Sequence, residues 1–162
     1  MRDAGITDLP FLMLMLYEAA NRPGEAWPRF EESMDELRNR RFWVDFPRDG
    51  DLGVVAEALG QPIGAAWIRC FDGEQKGPSD DPDVPVLAIG VVAVWRGRGV
   101  GTALMESLID RARRAGVAAI DLTTGAFNEA GVRLYHASGF VDTSRFEDAI
   151  RMRARFDTLG NT

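Results

Sequence analysis

The plainest chemistry in this chain lies in Arg96-Gly97-Arg98-Gly99-Val100-Gly101, followed by Thr102. Three glycines at alternate positions let the backbone turn tightly and let a ligand approach its amides. Two arginines add positive charge. The residues that follow carry Ala103, Leu104, Leu108, Ala112 and Ala115 at helical spacing, up to Gly116 as a C-terminal stop. The turn therefore opens a helix, whose first N–H groups and partial positive charge suit phosphate oxygens. Before it, Val86, Ile89, Val91, Val92 and Val94 form a β-branched run without alternation. That pattern predicts a strand buried on both faces and running to Val94. Strand, glycine turn and helix together predict a phosphate-binding unit.

Three glycine patterns compete for it. A P-loop requires Gly-Lys-Ser/Thr, which the chain lacks. A dinucleotide fingerprint requires G-x-G-x-x-G, and here the third glycine falls one residue early. Asp121 stands about twenty residues further on, where a ribose ligand is expected. However, the remaining chain has no room for a second mononucleotide half. The third pattern, Arg/Gln-x-x-Gly-x-Gly/Ala, fits without a gap.

In that third pattern the segment resembles the acyl-CoA pyrophosphate loop of the GCN5-related N-acetyltransferases, the GNAT superfamily. Two further blocks carry the resemblance. Val91-Val92-Ala93-Val94-Trp95 is similar to the family's V-x-P-x-aromatic approach, with Ala93 in place of proline. Asn128-Glu129-Ala130-Gly131-Val132-Arg133-Leu134-Tyr135-His136-Ala137-Ser138-Gly139-Phe140 is similar to N-x-x-A-x-x-L-Y-x-x-x-G-F, with Gly131 where alanine is usual. The resemblance implies acetyl-CoA as co-substrate and a primary amine, on a small molecule or a peptide, as acceptor. It implies direct attack of the amine on the thioester in a ternary complex. Amides around Arg96, Gly97, Arg98, Gly99, Val100, Gly101 and Thr102 would hold the phosphates. Backbone groups of Val91, Val92 and Ala93 would pair with the extended pantetheine arm like an added strand. Asn128 would bond the arm or the sheet. Tyr135 would be the general acid that protonates the leaving thiolate. His136, its neighbour on a helix, points elsewhere and is expected to be structural.

No general base is evident. Val86 to Val94 contains no acid, and Val117 to Thr123 offers only Asp121. Glu18, Glu25 and Glu57 stay open, as does a chain of waters. The missing base supports an alternative, a non-catalytic acyl-CoA-binding module on the same fold.

The surrounding elements must position these groups. The 162 residues fit one domain spanning 1–162. Thr7 or Asp8 begins a helix with Pro10 in its first turn, running to about Ala20, after a short first strand over Arg2 to Thr7. A second helix is expected over Trp27 to Arg40. The resemblance places both helices over the acceptor end, making Glu25, Trp27 and Phe30 lining candidates. Asp51 to Ala58 and Gln61 to Phe71 form a hairpin about Leu59-Gly60. Asp72 to Pro85 is an acidic loop, either solvated or a negative lip that attracts a cationic amine. Val117 to Thr123 is a strand, Phe127 to Ser138 a helix, and Phe140 to Arg145 with Ala149 to Phe156 a closing pair. The result is an α/β fold: a mixed, mostly antiparallel sheet flanked by helices. The resemblance adds a splay between two central parallel strands.

Composition excludes several other functions. A net charge of −6 argues against a nucleic-acid surface, even with Arg151, Arg153 and Arg155 on one strand face. One His and one Cys supply too few ligands for zinc, so no metal is expected. Cys70, among Trp67, Ile68 and Phe71, is expected in the core. Phe11 to Tyr17 is too short to cross a bilayer and lacks a basic flank, so a cytoplasmic protein without a membrane partner is expected. A homodimer stays open. Thr158 to Thr162 is expected to fray.

Overall fold

The computed structural model describes residues 1–22, 24–71 and 79–157. The expected fraying of Thr158 to Thr162 and the Asp72 to Pro78 part of the acidic loop lie outside the described residues.

Seven strands form one sheet in the order β1-β2-β3-β4-β5-β7-β6. They are β1 (Arg2–Asp3), β2 (Leu52–Ala58), β3 (Gln61–Arg69), β4 (Val86–Val91), β5 (Ala119–Gly125), β6 (Val141–Arg145) and β7 (Ala149–Arg155). Every neighbouring pair is antiparallel except β4 and β5, which run parallel. The helices are α1 (Leu9–Ala20), α2 (Phe30–Asp35), α3 (Leu37–Trp43), α4 (Val100–Arg114) and α5 (Glu129–Ala137). This is the mixed α/β architecture expected from the sequence.

The strand alternation divides the core in two. Ala66 and Ile68 of β3 join Leu104, Leu108, Ile120, Leu122 and Phe140 on the α4 and α5 face. Ala65 and Trp67 join Leu12, Met15, Met34 and Phe42 on the α1 to α3 face. The β2–β3 turn places Leu59 and Gly60 at φ +52° and +74°, the conformation of a tight hairpin turn.

Four sequence expectations are corrected. The strand expected to reach Val94 ends at Val91, and Ala93–Trp95 is a 3-10 turn. Composition favoured extension, but Val92 already pairs with Ile63, and the Trp95 amide closes back on the Val92 carbonyl at 2.8 Å. The helix expected over Trp27 to Arg40 is two short ones, broken at Glu36, which is extended at φ −58° and ψ 132°. Buried Asn39 stabilises the break by donating to the Ser33 carbonyl at 2.8 Å. The first strand is only Arg2–Asp3. Cys70 is exposed rather than in the core, because it follows the last residue of β3.

The buried side chain at that strand end is Arg69, fully enclosed. It donates to Asp51 at 2.6 Å and to the Arg41 and Val44 carbonyls at 3.0 and 2.6 Å. A buried charge with this many acceptors has its desolvation largely offset.

Candidate active site

β4 and β5 bridge only at Val86↔Asp121. β4 keeps pairing with β3 as far as Gly64↔Val91, and β5 keeps pairing with β7 as far as Gly125↔Ala149. The two strands therefore diverge beyond one bridge, and a wedge opens in the middle of the sheet. Hydrogen-bond phase shows which backbone groups face it. Val92 donates to Ile63 on β3, so alternation turns Ile89 and Val91 toward β5. Phe156 and Ala126 bond across to the Ala118 carbonyl and the Asp148 carbonyl, so Thr123 and Gly125 turn toward β4. Of the expected pantetheine partners, Val91 faces the wedge. Val92 does not, and Ala93 lies in the 3-10 turn, where its carbonyl accepts from the Arg96 amide at 3.2 Å.

The glycine loop closes over the same end of β4, and its glycines serve different needs. Gly97 and Gly99 hold φ of +69° and +81°, and Gly99 is the N-cap of α4. Gly101 has ordinary backbone, but a Cβ on it would stand 3.2 Å from Leu134 Cδ2. Its missing side chain leaves room for Leu134 of α5 beside the start of α4. The first α4 amides, from Val100 to Thr102, point outward from the helix start. Arg98 stacks over the Trp95 ring at 5.4 Å. Arg96 turns the other way: its Nε donates to the Val91 carbonyl at 2.9 Å and its Nη2 to Glu18 at 3.0 Å.

Tyr135 sits on α5, buried against Phe140, with ring centres 6.2 Å apart. Burial pushes its phenol up to about 12, partly opposed by a hydrogen bond with Thr124. The Thr124 hydroxyl also accepts from Asn128 Nδ2 at 3.3 Å. Asn128 is the N-cap of α5, and its Oδ1 accepts from the Gly131 amide at 3.1 Å. A Cβ at Gly131 would collide with the Asn128 side chain, which gives the glycine at this motif position a physical reason. Tyr135, Thr124 and Asn128 thus tie α5 to the open end of β5. His136 is exposed and meets Asp142 at 2.8 Å.

The opposite rim is aromatic. Tyr17 makes edge contacts with Trp27 and Phe30 at 5.4 and 5.3 Å. Tyr17 donates to the Pro28 carbonyl at 2.7 Å, and Trp27 to the Arg22 carbonyl at 3.0 Å. Arg22 lies over the Phe127 ring at 4.6 Å, linking this rim to the β5–α5 connection. Glu25 pairs with Arg22 at 3.3 Å.

Asp121 is committed elsewhere. It accepts from Arg153 at 2.6 and 2.7 Å and from Ser79 at 2.6 Å, on the sheet face away from α5. Arg151, Arg153 and Arg155 line a cavity of about 420 Å³ on that face, beside Asp80 and Asp81. Arg151 reaches Asp80 at 3.3 Å. Glu57 pairs with Arg2 at 2.8 Å. The described residues contain no cluster of three His, Cys, Asp or Glu side chains able to hold a metal. They contain no helix long and apolar enough to cross a membrane.

Sequence reasoning missed Thr124 and the Glu18–Arg96 pair. Thr124 left a signal: it continues the Ile120, Leu122 face and is the polar member of an apolar series. The Glu18–Arg96 pair joins residues far apart in sequence and left none.

A glycine loop opening a helix beside a wedge in a mixed sheet is the arrangement that the resemblance in the sequence leads one to expect. Residues 13–140 match the model of the Acetyltransferase (GNAT) family. The chain is 30% identical over 145 residues to the L-methionine sulfoximine/L-methionine sulfone acetyltransferase of Pseudomonas aeruginosa, covering 86% of this chain and 78% of that one. It resembles the crystal structure of a ribosomal-protein-alanine N-acetyltransferase from Brucella melitensis, with TM-score 0.68, 26% identity and coverage of 96% and 98%. It also resembles a phosphinothricin acetyltransferase from Sinorhizobium meliloti in complex with AcCoA, with TM-score 0.70, 22% identity and coverage of 96% and 86%. The chain belongs to the GNAT family of acetyltransferases.

Proposed function

We propose that this protein moves the acetyl group of acetyl-CoA to a primary amine, by direct attack of the amine within a ternary complex. The observation that carries this reading is the single Val86↔Asp121 bridge, which leaves two central strand edges open between the glycine loop and Tyr135. An extended pantetheine arm has the hydrogen-bonding pattern of a strand and fits such an edge at Ile89 and Val91. The loop amides from Arg96 to Thr102 and the Arg98 side chain take the phosphates, with the α4 dipole adding about 0.3–2 kcal/mol. An N–H at the wedge polarises the thioester carbonyl as negative charge develops on its oxygen. Asn128, already the α5 cap, holds the β5 side of the wedge in place.

Tyr135 acts as the general acid. Its raised pKa keeps the phenol protonated at neutral pH. It therefore has a proton to give when the carbon–sulfur bond breaks and is unsuited to act as a base. The acceptor is an amino acid or a peptide amine. In support, one relative is named for amino-acid analogues and a solved neighbour for a protein's alanine.

The test is thiol release from acetyl-CoA in the presence of L-methionine sulfone, phosphinothricin or a short peptide beginning with alanine. Amine-dependent release is the expected result. A melting temperature raised by acetyl-CoA, with no release from any amine, would leave only the acyl-CoA-binding module.

A further inference from the structure

The proposed transfer needs a place for the proton that the acceptor ammonium must lose, and neither β4 nor β5 supplies one. β4 carries no acid, and Asp121 of β5 sits at the closed end of the wedge with its carboxylate on the sheet face away from α5. The acid at the wedge comes from α1. At Gly90 this helix lies almost on the strand, since a Cβ there would stand 2.7 Å from the Met15 carbonyl oxygen. Three residues on, the same helix face presents Glu18. Its Oε2 accepts from Arg96 Nη2 at 3.0 Å, while Nε on the same guanidinium edge donates to the Val91 carbonyl at 2.9 Å. The carboxylate and the last carbonyl of β4 are thus neighbouring acceptors on one cation. Val91 is also the residue whose backbone faces the wedge. The Glu18 side chain keeps 27% of its surface exposed, so solvent and a ligand reach it. Glu57 lies on β2, which pairs with β1 and β3 and does not border the wedge, and Glu25 stands 61% exposed beside Arg22.

Resting on the acetyltransferase reading above, we propose that Glu18 binds the acceptor ammonium and takes its proton. Arg96 is the positioning residue that holds the carboxylate at the end of β4. The carboxylate removes one proton from R–NH3+, and the freed lone pair bonds to the thioester carbonyl carbon. The carbon–sulfur bond then breaks. Sulfur leaves with the electron pair and takes the Tyr135 proton. The surplus proton on the new amide nitrogen returns to the Tyr135 phenolate, and Glu18 passes its proton to water. One acetyl group, one thiol and one proton account for the turnover.

The experiment measures kcat/KM for L-methionine sulfone, phosphinothricin and an alanine-led peptide across neutral to alkaline pH. It compares the parent, Glu18→Gln and Glu18→Asp, with the melting shift on acetyl-CoA recorded for each. Glu18→Gln is expected to lose about 10²-fold at neutral pH. The deficit should shrink as pH rises and the amine loses its proton unaided, while Glu18→Asp recovers part of the rate. The acetyl-CoA melting shift should be unchanged in both variants. A Gln variant within about threefold of the parent at neutral pH, or a deficit equal at every pH, overturns the role of Glu18 and leaves acetyl transfer standing. A parent that binds acetyl-CoA but acetylates none of the three amines overturns the transfer reading, and this role falls with it.

Discussion

Asp121 and Arg153 are joined by two hydrogen bonds, of 2.6 and 2.7 Å, at the residue where β5 makes its single bridge to β4. The pair crosses from β5 to β7 at the closed end of the wedge, and Asp121 draws Arg153 upward in pKa. It is a structural clamp. Asp121→Asn should therefore lower unfolding stability by about 1–3 kcal/mol in denaturant titration, because Arg153 loses its charged partner. Acetyl transfer by the folded fraction should stay within a few-fold of the parent. A fall in kcat of a hundredfold at unchanged stability would instead make Asp121 a participant in the chemistry.

Tyr135→Phe separates packing from proton transfer, since the ring contact with Phe140 survives. The variant should lose about 10²- to 10⁴-fold in kcat while acetyl-CoA affinity, measured calorimetrically, is retained.

The same phenol links stability to alkaline pH. Its folded pKa is raised to about 12, against about 10 in the unfolded chain. Between those values the unfolded state has lost a proton that the folded state keeps. Stability is therefore full below about pH 10 and falls as pH rises toward 12, by up to about 2–3 kcal/mol. Urea unfolding of the parent and of Tyr135→Phe across this range should show that part of the decline only in the parent.

Glycines 90, 99 and 101 should respond differently to alanine. At Gly90 the new methyl meets the Met15 carbonyl oxygen at 2.7 Å, a backbone atom with little freedom to move. The variant should lose about 1–3 kcal/mol and also transfer rate, because α1 carries Glu18. At Gly99 the space is open but φ is +81°, so the cost is about 1–2 kcal/mol of backbone strain, together with weaker acetyl-CoA binding. At Gly101 the methyl meets only the end of Leu134 at 3.2 Å, and Gly101→Ala should be the mildest of the three. Thermal melts and acetyl-CoA titrations rank them.

Element order and the glycine loop were legible because they depend on local pattern. The hairpin at Leu59-Gly60, the helix ending before Gly116 and the strand alternation of Ile150, Met152 and Ala154 all depend on near neighbours in sequence. The misread points depend on distant contacts. Val92 and Val94 have strand-forming side chains, yet β4 ends at Val91 because the chain folds into a turn in which the Trp95 amide bonds the Val92 carbonyl. Arg69 lies in an apolar strand because Asp51 and two carbonyls from α3 and its end meet it there. For the candidate site, the sequence pointed to the loop and the Asn128 to Phe140 block. It could not show that Asn128 at the head of its helix reaches back to Thr124, or that Arg96 leaves the loop to hold Glu18.

Exposed strand edges usually invite other chains to add on, and soluble proteins blunt them. Here both outer edges are blunted. β1 is two residues long, and β6 carries a bulge between Asp142 and Ser144. The β4 and β5 edges beyond their single bridge lie inside the sheet, away from its perimeter. Self-association through strand addition is thereby discouraged at the perimeter, while the same backbone stickiness at the centre is what the proposed thread-like guest would use.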